Sequence, residues 1–256
     1  MKCEGEKFVL PISFRKVSTY RNLGRIVKVQ VKHMLATGDK MTTKQKTKHS
    51  RYQDYVIKDG KFVGEFEEMY RDFSDPWEQT TREEWASEKA VALNLINKFK
   101  AKKVIELGCG LGHYTNKIHK LGVDVLGIDV SKTAIEKAMS NYPDCDFAVG
   151  DILDFSIYKE YQPDIIVMAE ITWYVLDKLD DFIAFLSSEL PNTHLIHLLT
   201  TYPEGVQQYG KDKFTNLQQI MSYFGMKYSE WGEISYPEME GCKRTYFIGN
   251  CEPQKG

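Results

Sequence analysis

The run from Val104 to Thr115, VIELGCGLGHYT, constrains the fold more than any other stretch of this 256-residue chain. An apolar strand pattern from Lys103 to Leu107 stops at Gly108, Gly110 and Gly112, and a helical pattern follows. A strand, a tight turn and a helix start are therefore predicted in immediate succession. Glycine in such a turn permits positive φ and lets a ligand approach backbone that a Cβ would shield. The free N–H groups at the helix start favour a polar or anionic ligand group.

Spacing narrows the choice of ligand. A dinucleotide fingerprint needs its third glycine at the position held here by His113. Glu106-x-Gly108-x-Gly110-x-Gly112 is instead similar to motif I of the class I S-adenosylmethionine (SAM) methyltransferases, in which an acidic residue precedes the loop. A second buried strand pattern, VLGIDVS from Val125 to Ser131, puts Asp129 21 positions after Gly108. A carboxylate about 20 residues on is where a nucleotide-binding α/β unit holds ribose hydroxyls. Phe147 to Ile152 (FAVGDI) resembles the family segment whose Asp, here Asp151, faces the adenine amino group. The resemblance spans roughly residues 100 to 172. It implies SAM as cofactor and S-adenosylhomocysteine (SAH) as product. Glu106, Gly108, Cys109, Gly110, Asp129, Val130, Asp151, Ile152 and Glu170 would then surround the cofactor.

Composition sets the outer bounds. With 42% hydrophobic residues the chain can bury one sizeable core. A net charge of −2 gives no overall drive toward nucleic acid or an anionic membrane. The five cysteines are odd in number and widely spaced, which points to reduced thiols in a cytoplasm rather than a disulfide framework. His194 and His197 would face opposite sides of a strand, so no metal site is expected. No stretch approaches the ~20 apolar residues of a membrane span. Met1 to Glu6 is polar and Pro11 interrupts the apolar patch that follows, so no signal peptide is expected.

Ahead of the glycine loop, Ile26 to Met34 alternates apolar and polar residues as a half-buried strand would, although Leu23, Val27 and Val31 also fit a helical face. Thr37 to Ser50 is polar and lysine-rich and reads as a mobile loop. Asp59-Gly60 lies between two β-rich runs and predicts a hairpin over about 52–66, because a type I′ turn needs positive φ at both central positions. Next come Tyr70 and Asp75-Pro76-Trp77. They resemble the lid of small-molecule methyltransferases that carry a Tyr and an Asp-Pro-Trp segment ahead of the core. That likeness implies Tyr70 at the methionine carboxylate of SAM and Trp77 over the sulfonium, which an aromatic face attracts. The alternative for Trp77 is a packed aromatic in a helix-entry turn. An amphipathic helix is predicted from Thr80 or Thr81 to about Phe99, through Trp85, Ala90, Val91, Leu93 and Leu95.

From residue 103 strand and helix patterns alternate, with Ser131 as a helix cap. The predicted fold is α/β: a Rossmann-like, mainly parallel sheet with helices on both faces and an antiparallel C-terminal hairpin edge. Residues 1–78 would form an arm and lid, and 79–256 the SAM-binding core.

In such a sheet ligands bind beyond the carboxyl ends of the strands, which places Glu170 to Tyr174 and Thr200 to Tyr202 at the methyl acceptor. Candidate bases are Glu170, His197 and Tyr174, against the alternatives that His197 is a core residue, that Glu170 flanks the adenosine and that Tyr174 covers the core. Tyr20 and Arg21 are candidate acceptor contacts, and Lys16, Arg21 and Arg25 could hold a phosphate. The Asn/Asp-Pro-Pro-aromatic segment of nucleic-acid amino-methyltransferases is replaced here by Ala169-Glu170-Ile171-Thr172. The resemblance therefore implies a small soluble acceptor and no nucleic acid: O-methylation of a sugar or of a phosphorylated or phosphoramidate building block of a surface polysaccharide. Competing readings are N-methylation of a small amine or amino sugar, and SAM binding without turnover. A homodimer is left open.

Overall fold

The computed structural model describes residues 47–82, 86–207 and 209–250. Ile26 to Met34, the basic positions Lys16, Arg21 and Arg25, Tyr20 and Trp85 lie outside the described residues. Thr43–Gly256 is one compact unit.

Seven strands build the main sheet: β3 (Lys103–Leu107), β4 (Asp124–Asp129), β5 (Asp146–Val149), β6 (Ile165–Ala169), β7 (His194–Thr201), β8 (Lys227–Ser235) and β9 (Lys243–Asn250). Their order is β5-β4-β3-β6-β7-β9-β8. Pairing is parallel from β5 to β7 and antiparallel where β9 meets β7 and β8. The order reverses between β3 and β6, so the loops after these two strands diverge and open a crevice.

The parallel strands read as continuous apolar runs because helices cover both faces. Ile105, Leu107, Ile166, Met168, Leu195 and Leu199 face one way, toward α6 (Phe155–Tyr161), α7 (Leu179–Glu189) and α8 (Leu217–Phe224). Val104, Val167, Ile196 and Leu198 face the other way, toward α3 (Ser87–Lys98) and α4 (His113–His119). Leu95 and Ile96 of α3 are fully buried, and truncating either to alanine would cost about 2–5 kcal/mol. Only β8, at the outer edge, alternates half-buried with exposed positions.

Local chemistry explains the ends of these elements. Ser131 caps α5 (Lys132–Asn141) by accepting the Ala134 N–H at 3.1 Å, as the sequence predicts. Asp59 and Gly60 have φ of 51° and 72°, as a type I′ turn requires, and join β1 (Ile57–Lys58) to β2 (Lys61–Phe62).

One expectation needs correction. The helix predicted from Thr80 or Thr81 to Phe99 is broken into α2 (Gln79–Arg82) and α3, because Ala86 is extended and starts a new helix. Asp75 accepts N–H groups from Gln79 at 2.9 Å and Thr80 at 3.1 Å, which fixes the start of α2. Helix α6 is only 7 residues long and fully buries a single side chain, Tyr158. Helix α8 begins at Leu217, where Asn216 caps it by accepting the Gln219 N–H at 3.0 Å.

Candidate active site

A cleft of about 490 Å³ opens at the reversal point between β3 and β6. Its floor is Gly108 and the ends of β4 and β6. Gly108, Gly110 and Gly112 have φ of 67°, 54° and 78°. A Cβ on Gly110 would lie 2.6 Å from the Tyr70 hydroxyl and 2.7 Å from Oε1 of Gln79, so side chains already cover this turn closely.

Asp129, at the end of β4, lines the cleft. Its carboxylate accepts the Gly110 N–H and the Ser131 N–H, both at 2.9 Å, which pins the glycine loop to the second strand. Burial pushes its pKa up to about 6, against the pull of those two amides. Val130 beside it is 54% exposed, an apolar surface turned into open space. Asp151 and Ile152 follow β5 on the same wall, with Asp151 ion-paired to Lys178.

The roof comes from α1 (Phe66–Asp72) and the turn after it. Tyr70 is 3% exposed, and burial followed by the nearby Asp129 charge raises its pKa. The Trp77 ring lies 5.1 Å from that of Tyr52 and 5.7 Å from that of Tyr174, forming an aromatic wall over the cleft. Trp77 is packed against these aromatics and also faces the cleft.

Glu170 lines the cleft at the end of β6 with φ of 61°, a left-handed conformation uncommon for a residue with a side chain. It accepts from Arg244 at 2.8 Å and from the Thr200 N–H and hydroxyl at 3.1 and 3.0 Å. Arg244 Nε also lies 3.8 Å from Glu88, a carboxylate that is 1% exposed.

The structure brings together Tyr70, Trp77, Gly108, Asp129, Val130, Asp151, Ile152, Glu170 and Tyr174 around this cleft. It separates three others from it. His197 is buried beneath the floor, stacked 4.8 Å from Phe247 and hydrogen-bonded to Thr172 at 2.7 Å. Burial lowers its pKa to about 3, so it is a neutral core residue and not the base. Glu106 points toward α4, where Thr115 donates to it. Cys109 is fully buried, so only its backbone shapes the loop. Tyr174 faces the cleft, but burial and then the Glu170 charge raise its phenol pKa, which disfavours it as a base. Sequence reasoning missed Gln79, Glu88 and Arg244; they come from α2, α3 and β9, and only the closed sheet brings them together.

Residues 104–188 match the family described as Methyltransferase domain. Over those residues the chain resembles a methyltransferase domain, whose cofactor is SAM. The domain's fold is shared with the PH0226 protein of Pyrococcus horikoshii OT3, at a TM-score of 0.53 and 17% identity over 72% of this chain and 98% of that one. It is shared also with the N-methyltransferase NodS of Bradyrhizobium japonicum WM9 in complex with SAH, at a TM-score of 0.51 and 18% identity over 69% and 93% of the two chains. The 235L protein of Invertebrate iridescent virus 6, named as a methyltransferase, is 40% identical over 83 residues, or 32% of this chain. That match spans 31% of the viral protein, so this chain covers about a third of the length of its curated relative.

The methyltransferase cleft fits SAM on its own geometry. Gly108 lines it with backbone that no side chain of its own shields, and Asp129 offers it a buried carboxylate. Bound SAM supplies a methyl group already activated on a positive sulfur. Among the described residues no group of three or more His, Cys, Asp or Glu could hold a metal ion, and no helix is long and apolar enough to cross a membrane.

A pH dependence follows from Asp129. Only the ionised carboxylate accepts two hydroxyl hydrogen bonds without giving up an acceptor position. SAH affinity is therefore expected to hold above pH 6 and to fall as Asp129 protonates near its pKa of about 6. Because the folded value lies above the unfolded one, the same proton stabilises the apo chain as pH drops from about 6 toward 4. Titration calorimetry between pH 5 and 8 measures the first effect, and an affinity constant across that range would contradict it.

Proposed function

We propose that this protein transfers the methyl group of SAM to the hydroxyl of a small soluble acceptor, such as a sugar building block of a surface polysaccharide, in the cytoplasm. The main support is the roofed cleft, whose volume of about 490 Å³ lies within the ~300–1,000 Å³ usual for small-molecule sites. A roof of Tyr70, Trp77 and Tyr174 suits a compact acceptor better than a polymer strand. In this reading residues 1–78 form an arm and lid and residues 79–256 the SAM-binding core.

The acceptor end has a defined polar set in Glu170, Thr200, Tyr202, Glu88 and Arg244. In-line transfer needs the acceptor aligned with the methyl and its proton removed, and alignment alone can supply a large share of the rate. Glu170 is the one base candidate that both lines the cleft and carries a carboxylate. Arg244 is already engaged by Glu170 and Glu88, so an acceptor phosphate would compete with two carboxylates for it. The same two carboxylates favour a second reading, N-methylation of a small amine.

Following SAH release from SAM across panels of sugars, phosphorylated sugars and small amines decides among these. Turnover with a hydroxyl acceptor is the expected result. Turnover confined to amines would establish the second reading, and methyl transfer only to protein or nucleic acid would overturn both.

A further inference from the structure

The lid and the cofactor wall are joined by two reciprocal helix caps. Glu67 in α1 reaches the N-terminus of α5: its carboxylate accepts the Ser131 hydroxyl at 2.8 Å, the Thr133 N–H at 3.1 Å and the Thr133 hydroxyl at 2.5 Å. In return Lys137 of α5 reaches the other end of α1. Its ammonium donates to the Tyr70 carbonyl at 2.5 Å and the Phe73 carbonyl at 3.0 Å, carbonyls that the end of a helix leaves without intrahelical partners. A carboxylate at a helix N-terminus and a cation at a helix C-terminus are both favoured by the helix dipole.

The first cap runs directly into the cofactor site. Ser131, whose hydroxyl bonds Glu67, donates its own N–H to Asp129, and the other oxygen of Asp129 holds the Gly110 N–H. The second cap is on Tyr70 itself, whose hydroxyl covers Gly110. Both ends of α1 are therefore fixed by groups that also fix the cofactor loop. Burial opposes ionisation of Glu67, but the bonds from Thr133 and Ser131 outweigh it and hold the carboxyl at about 2, so the cap is charged at neutral pH.

We infer that Glu67 and Lys137 are positioning residues for SAM: they form a two-point latch that couples placement of the Tyr70–Trp77 roof to occupancy of the Asp129 site. The inference rests on the methyltransferase function proposed for that cleft.

The test is SAH affinity by calorimetry, together with hydrogen exchange of the α1 amides from Met69 to Phe73, with and without SAH. In the unaltered chain SAH should slow exchange in α1. Glu67→Gln and Lys137→Met should each weaken SAH binding about tenfold and abolish that slowing, and Lys137→Arg, which keeps a cation and its donors, should restore most of both. Lys98→Met, which removes a surface pair with Glu230 far from the latch, should change neither. A merely structural role would lower the melting temperature of the latch variants yet leave SAH affinity and SAH-dependent protection as in the unaltered chain, and that result overturns the inference. Absence of SAH binding by the unaltered chain overturns the underlying function as well, and so is told apart from failure of the latch alone.

Discussion

Asp129→Asn will weaken SAH binding about tenfold, and Asp129→Ala about a hundredfold, with little change in the stability of the apo chain at pH 7. Hydrogen bonds to a charged partner contribute about 1.5–3 kcal/mol each, and 1.4 kcal/mol is a factor of ten. Asparagine keeps one acceptor oxygen, whereas alanine keeps none. On the stability side two effects oppose. Burial raises the Asp129 pKa to about 6, so ionising it in the folded chain at pH 7 costs about 1–3 kcal/mol. Asparagine removes that cost but turns an amide N–H toward the backbone N–H of Gly110 or Ser131, a loss of about 1–3 kcal/mol. The near cancellation makes the variant a clean separation of binding from folding. Calorimetry with SAH alongside thermal unfolding of the apo chain measures both, and unchanged SAH affinity in both variants would remove Asp129 from the site.

Gly108→Ala has the largest expected effect on stability of any change in the glycine turn. Gly108 has φ of 67°, and a Cβ there would stand 2.3 Å from Cγ2 of Ile171. Ile171 is β-branched and held by the turn after β6, so it cannot swing aside as a long side chain would. Left-handed strain costs roughly 1–2 kcal/mol and overpacking about 1–3 kcal/mol, giving about 2–5 kcal/mol in all. For a chain of this size that corresponds to a melting point lower by about 4–20 °C. Gly122→Ala is the matched control: its φ of 81° imposes the strain, but nothing lies within 4 Å of the new Cβ. Equal destabilisation by the two substitutions would show that contact with Ile171 contributes nothing.

What the sequence revealed and what it concealed divide along physical lines. The glycine turn, the Asp129 offset and the Asp59-Gly60 hairpin depend on local backbone needs, and each is legible because few residues meet them. Glu106 and His197 were harder. Each lies in a strand whose alternation assigns it a face, and in both cases that face is covered by helices: α4 over Glu106, α8 over His197. Strand parity relative to the apolar residues around them was the available signal. Arg244 and Glu88 had no such signal, since β9 returns to the sheet from residue 243 onward and meets α3 only in the folded chain. The break at Ala86 was hidden by a helical apolar stripe that runs across it.

The measurement that bears most directly on the central claim is thermal unfolding in the presence of SAM, SAH or NAD. A ligand bound only by the native chain stabilises it by RT ln(1 + [L]/Kd), about 2.7 kcal/mol at a hundredfold excess over Kd. SAM and SAH should raise the melting temperature, NAD should not, and the shift should shrink in Asp129→Ala. Stabilisation by NAD alone, or by none of the three, would contradict a SAM site built on the glycine turn and Asp129.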